Sequence, residues 1–179
     1  MVTGSQAQIT KALSGISLRA GYFSGNNFNG LAPTPTVKLE GLQFGIDIPI
    51  YKVPVAGTSL SLSGTYFMGG GTRKGNDNDA NVYRLMALTR SRIPTSGLYA
   101  IYGLGYAEAK TRGTTNFDTK RGFIQQIGIG KTLSKLDWLG NVPVGNVSQL
   151  SGAAPFIELS YINGKSQYKG YSLELGVRF

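Results

Sequence analysis

The 179-residue chain contains no cysteine and no histidine. Without cysteine there can be no disulfide, iron–sulfur cluster or thiol nucleophile. Without histidine the usual general base and the commonest metal ligand are missing as well. No stretch approaches the ~20 consecutive apolar residues of a membrane-spanning helix. The first residues, MVTGSQAQITKAL, lack the apolar core of a secretory leader. For an exported protein, the expectation is that this numbering starts after cleavage. Charge is scarce, at 15% of residues, against ~25% in a typical soluble domain. Acidic residues are scarcer still, 9 against 18 Lys and Arg, giving a formal net charge of +9. The basic residues are spread out, with no run of five, which argues against a nucleic-acid-binding arm. A membrane surface, an acidic glycan or an acidic protein remain as partners.

What the chain does have is 26 glycines, 10 tyrosines and 8 phenylalanines. Its apolar residues alternate with polar or small ones, the signature of strands with one greasy face. Eight segments read this way. Residues 14–23 put Ile16, Leu18, Ala20 and Tyr22 on one face, and residues 37–51 set Leu42, Phe44, Ile46, Ile48 and Ile50 against Gly41, Gln43, Gly45 and Asp47. Residues 58–69 oppose Leu60, Leu62, Tyr66 and Met68 to Ser59, Ser61, Ser63 and Thr65. Residues 81–91 alternate less clearly, with Tyr83, Leu85 and Ala87 opposite Arg84 and Arg90, while Met86 and Leu88 blur the pattern. Residues 97–110 place Leu98, Ala100, Tyr102, Leu104 and Tyr106 opposite Gly103, Gly105 and Ala107. In 122–133, Phe123, Ile127 and Ile129 oppose Gln126, Gly128 and Gly130, with Gln125 interrupting the apolar face. Residues 155–162 and 171–179 complete the set, the last reading YSLELGVRF to the chain end.

Long polar connections at 24–36, 69–81 and 108–122 alternate with short ones at 52–57 and 92–96. An up-and-down sheet with loops at one end and tight turns at the other has this pattern. The short 162–167 and the long 134–153 depart from it; in the latter, Leu133, Leu136, Trp138 and Leu139 are read as packing under a barrel rim. The expected organisation is an N-terminal extension over 1–13 and one barrel domain over 14–179.

Alternation leaves open which face is inside. A soluble barrel meets water with faces rich in Lys, Glu, Asp and Thr, whereas here the polar faces carry Gly41, Gly45, Gly103, Gly105, Gly128, Gly130, Gly176 and serines. An eight-stranded barrel has room inside for side chains only, and small residues there accommodate a few large ones. The polar-face charges are of both signs: Arg19, Asp47, Arg84, Arg90, Glu158, Glu174 and Arg178. Such balance suits a water-poor lumen, since an unpaired buried charge is costly. Tyr22, Tyr66, Tyr106, Tyr161, Tyr171 and Phe179 sit toward the ends of the apolar stripes, where membrane interfaces favour aromatic rings. The fold read from these features is all-β, an eight-stranded antiparallel up-and-down transmembrane β-barrel.

The terminal Phe179 with Val177, Leu175, Leu173 and Tyr171 at alternate positions resembles the C-terminal signature of bacterial outer-membrane β-barrels, and YGLGYAEAK resembles strands of the small OmpA/OmpX/OmpW-type barrels. The resemblance implies an outer-membrane location, closure of the last strand on the first, and recognition of that strand by the barrel-assembly machinery. Enzymes among small outer-membrane barrels generally rely on a rim histidine, so no enzyme is expected, and neither is a cofactor. Ser59, Ser61 and Ser63 read as lumen fillers. Asp77 and Asp79 lack the full ligand spacing of a calcium loop and read as a solvated turn. GGGTRKG lacks the helix that a phosphate loop needs. Arg73, Lys74, Lys110, Arg112, Lys120 and Arg121 make the loop end basic, fitting lipopolysaccharide or another envelope protein as partner. The leading expectation is a structural, adhesive or scaffold barrel. The alternatives are a narrow OmpW-type channel for small or apolar solutes, and a soluble lipocalin-like carrier.

Overall fold

The alternation becomes eight strands: β1 (Ser17–Asn26), β2 (Lys38–Val53), β3 (Thr58–Arg73), β4 (Asn76–Arg92), β5 (Leu98–Arg112), β6 (Phe117–Thr132), β7 (Ala154–Gly164) and β8 (Lys169–Arg178). The computed structural model describes residues 14–26, 38–53, 57–73, 76–112, 117–133, 154–164 and 169–179. Each strand pairs antiparallel with its sequence neighbours, and β8 pairs β1 from Ser17↔Arg178 to Asn26↔Lys169, closing the barrel. Beyond the last ladder pair, the Phe179 amide donates to the Ile16 carbonyl at 2.9 Å, and the Gly15 amide donates to Phe179. The chain end is therefore tied into the seam. The 1–13 segment and the 134–153 connection, with Leu136, Trp138 and Leu139, lie outside the described residues.

The register sets the shape. Starting at Thr132, the pairs run through Phe156, Gly176, Arg19, Gly45, Thr65, Arg84 and Ala107 and return to β6 at Gly122, ten residues away (132 − 122). That stagger tilts the strands by roughly 35–45° and leaves an interior only wide enough for side chains. A β-bulge between Pro49 and Tyr51 accommodates the proline within β2 and turns Ile50 and Tyr51 outward together.

The barrel is greasy outside. Leu42 is 55% exposed, Ile50 59% and Tyr171 64%, whereas Asp47, Glu158 and Glu174 are buried. A soluble carrier needs the opposite arrangement, so that expectation is overturned. Gln125 faces outward, as its position in the alternation required. Along β2 the apolar stripe from Leu42 to Ile50 covers eight residue steps, or ~26 Å at ~3.3 Å per step and ~20 Å after tilt. That is close to the ~25 Å band of outer-membrane barrels. Toward the loop end the stripes finish in aromatic rings: Tyr22, Tyr66, Tyr83, Tyr106, Phe123, Tyr161 and Tyr171. Tyr66 packs against Tyr83 at 4.9 Å between centroids, and Tyr161 against Tyr171 at 5.1 Å.

Past this belt the polarity of the wall reverses. Asn81, Glu108, Lys110, Arg121 and Asn163 occupy the outward positions. Inside, Phe23, Leu39, Phe67, Ala80, Val82, Met86, Ala107, Ala109, Ile124 and Ile162 form an apolar cluster. The large residues expected among the small lumen ones are thus gathered at one end, as a cap. The expected loops at 69–81 and 108–122 are largely strand: Ala80 and Ala109 join this cluster, and the ladders run on to Arg73↔Asn76 and Arg112↔Phe117. Asp77 and Asp79 consequently lie on β4, not in a solvated turn.

Candidate functional site in the lumen and at the rim

Below the cap, strand alternation brings ionisable side chains from opposite walls together. The Arg19 guanidinium donates to Glu174 Oε2 at 2.6 Å, Asp47 Oδ1 at 3.0 Å and Ser63 Oγ at 2.7 Å. Arg90 donates to Asp47 Oδ2 at 2.7 Å and through Nε to Glu158 Oε1 at 2.6 Å. The Tyr99 hydroxyl donates to the same Glu158 oxygen at 2.8 Å. The result is one chain, Glu174–Arg19–Asp47–Arg90–Glu158–Tyr99, which ties β8, β1, β2, β4, β7 and β5 across the interior. All six side chains are buried. Buried charges are tolerated when paired and hydrogen-bonded in this way.

Of the seven lumen charges singled out in the sequence, five share this network and two stand apart. Arg84 donates to Gln43 Oε1 at 2.6 Å, on the side toward the cap. Arg178 sits at the chain-terminus mouth, its guanidinium 5.4 Å from the Phe156 ring and 6.0 Å from the Tyr99 ring, with Nε donating to Ser17 Oγ at 3.3 Å. Tyr99 and Gln43 were not singled out for the network. Their signal was parity alone, since each occupies a lumen position in its strand.

Glycines give the large lumen groups their space. A Cβ on Gly130 would lie 2.4 Å from Tyr99 Cζ, one on Gly176 2.3 Å from Phe156 Cζ, and one on Gly45 2.8 Å from Arg19 Nη2. Real Cβ atoms do not approach that closely, so each glycine is the socket of a neighbouring side chain.

At the rim, Lys110 and Arg121 converge on Glu108. Lys110 Nζ lies 3.3 Å from Oε1, and Arg121 Nε donates to Oε2 at 2.7 Å. Hydrogen bonds from Lys110 and Arg121 hold the Glu108 carboxyl below the ordinary carboxylate range. Lys110 Nζ also sits 5.5 Å from the centre of the Tyr83 ring, so this group rests directly on the aromatic belt. Arg73, Arg112 and Lys120 stand at or near the loop ends of β3, β5 and β6. Lys74 lies outside the described residues. The rim is thus basic side chains partly neutralised by an acid, on extended strands.

At the rim the described ladder on one side of β6 stops short of the strand's start. The β6–β7 pairing ends at Ile124↔Gly164, whereas β6 begins at Phe117 and its other side is paired with β5 up to Arg112↔Phe117. Residues 117–123 therefore have no ladder partner on the β7 side among the described strands.

No protein-family model matches the sequence, and no curated protein is significantly similar to it. Solved structures similar to the chain include Neisserial surface protein A, 12% identical over 92% of this chain and 96% of that one, with a TM-score of 0.51. They also include the attachment invasion locus protein Ail of Yersinia pestis, 16% identical over 92% and 97% of the two chains, with a TM-score of 0.45. A third is the N-terminal β-barrel domain of Pseudomonas aeruginosa OprF, 14% identical over 93% and 97%, with a TM-score of 0.43. The chain shares with Neisserial surface protein A the closed barrel of antiparallel strands. At these identities the likeness is one of fold.

Proposed function

We propose that this chain is a non-enzymatic outer-membrane barrel whose rim is an adhesive or scaffolding platform for a partner protein. The observation that carries the reading is the rim: strands that continue past the aromatic belt over an apolar cap, with residues 117–123 of β6 lacking a ladder partner on the β7 side among the described residues. A packed core makes the projection stiff, so a partner strand that pairs with this stretch loses little order in the barrel itself. Lys110 and Arg121, directly above the belt, favour acidic groups on a partner or phosphates of lipopolysaccharide, although Glu108 takes up part of their charge. The outward residues of β8, Tyr171, Leu173, Leu175 and Val177, with the terminal Phe179, serve in this reading as the signal for the assembly machinery.

The test uses cells that display the chain and cells that display a variant in which Asn-Gly replaces residues 110–119. That change joins the register pair Ala109↔Lys120 and shortens the 117–123 stretch of β6 from seven residues to four. Adhesion to an epithelial monolayer or cell-to-cell aggregation should fall to the empty-host level while the barrel still folds. Equal adhesion by the two, or none above the empty host, would count against the platform. The channel reading has less support, because the cap and the charged chain fill the lumen; sustained conductance of the intact chain in planar bilayers would revive it.

A further inference from the structure

The charged chain leaves one buried cation out. Arg84 is 4% exposed, and among the described residues no carboxylate lies within ion-pair distance of it. Its single side-chain partner is the neutral amide of Gln43, itself fully buried. Guanidinium has donors only, so the Gln43 oxygen must face Arg84, and the amide NH2 is then a donor in need of an acceptor. It has none, and neither has Arg84 Nε. Among the described residues Arg19 Nε, Arg178 Nη2 and the Ser172 hydroxyl also lack partners, as does one carboxylate oxygen, Glu174 Oε1.

Charge points the same way. Asp47, Glu158 and Glu174 face Arg19 and Arg90 in the network, with Arg178 beside Phe156 and Tyr99 at the mouth. Arg178 is part-exposed at the mouth, and only Arg19 and Arg90 pair with the three carboxylates, so Arg84 is the one buried arginine among the described residues with no ion pair. Above it the space is closed by Phe67, the register neighbour of Gln43, and by Phe23, whose ring meets Phe67 edge-on at 5.5 Å. A desolvated cation with surplus donors and an apolar roof calls for a small, weakly hydrated acceptor carrying one negative charge.

We infer that Arg84 and Gln43 form an internal site for a monovalent anion of halide size, held by Arg84 Nε and Gln43 Nε2 beneath the Phe23–Phe67 roof. The site is independent of the rim and of what the rim binds. The ion acts as the missing counter-charge and fastens β4 to β2 where the charged lumen gives way to the cap.

The test refolds the full chain into detergent in sodium bromide or in sodium gluconate of equal ionic strength, the latter anion being too large for the lumen. At bromide near a hundred times its dissociation constant, the midpoint of thermal unfolding should rise by about 5–10 °C over gluconate. Crystals grown in bromide should show an anomalous peak within hydrogen-bond distance of Arg84 and Gln43. Gln43→Glu provides the control that should fold, because it supplies the counter-charge covalently and should abolish the halide response. Equal midpoints in the two salts, a bromide peak elsewhere only, or a full response in Gln43→Glu would each overturn the site.

Discussion

Asp47 is the joint of the lumen network, and replacing it tests whether that network holds the barrel together. Its two oxygens accept from different arginines, Oδ1 from Arg19 at 3.0 Å and Oδ2 from Arg90 at 2.7 Å. Asp47→Asn keeps the shape but removes the charge and turns one acceptor into a donor aimed at a guanidinium. Breaking a buried ion pair by removing one partner costs roughly 3–5 kcal/mol. Here each arginine keeps another carboxylate, Arg19 with Glu174 and Arg90 with Glu158. The expected loss therefore lies at the low end, about 3 kcal/mol, or on the order of a hundredfold in the folding constant. Glu174→Gln should cost less, because Glu174 accepts from Arg19 alone. Equilibrium urea unfolding in lipid vesicles, followed by fluorescence, measures both. A loss below about 1 kcal/mol for Asp47→Asn, or a larger loss for Glu174→Gln, would refute the idea that the chain of charges is held through Asp47.

Gly130→Ala should destabilise the barrel by about 1–3 kcal/mol, since its methyl collides with the Tyr99 ring. Adding Tyr99→Leu should recover part of that loss, and additive costs in a double-mutant cycle would argue against the socket. The Glu108 carboxyl is lowered in the folded chain, so its contribution to the rim is present above the unfolded carboxylate value and is lost as pH falls through the folded one. Amide protection factors at the loop ends of β5 and β6, corrected for the intrinsic pH dependence of exchange, should therefore fall in acid, and Glu108→Gln should remove that fall. Phe179→Ala keeps the backbone bonds to Gly15 and Ile16. Refolding in detergent should then proceed as in the parent, while the yield of folded barrel in cells drops; an unchanged yield would remove the assembly role of the terminal ring.

All eight strands were legible because period two survives wherever one face meets lipid, and even Gln125 kept its place in the alternation. The cap was not read, although its signal stood in the sequence as doublets: Tyr22–Phe23, Tyr66–Phe67, Phe123–Ile124 and Tyr161–Ile162 each put a belt residue outward and a cap residue inward. A doublet breaks strict alternation, and at a single position it looks like noise. The polar stretches at 69–81 and 108–122 read as loops because Asn, Asp, Gly and Thr are turn formers; in the barrel their strands continue because the neighbouring strand's ladder fixes them. The lumen charges could be placed on the right face, but their partners could not, since Arg19 finds Glu174 across 155 residues of sequence. Only the register of a closed barrel determines which wall each side chain faces. For the same reason, the isolation of Arg84 becomes visible only once its neighbours are known.

The most direct test of the central claim, a closed barrel with its apolar face turned to lipid, is electrophoretic mobility in SDS before and after boiling of protein folded in detergent. A closed ladder leaves detergent no edge within the apolar band, so the unheated barrel should run at a different position and shift on heating. A chain that is soluble without detergent and migrates identically in both lanes would contradict the account.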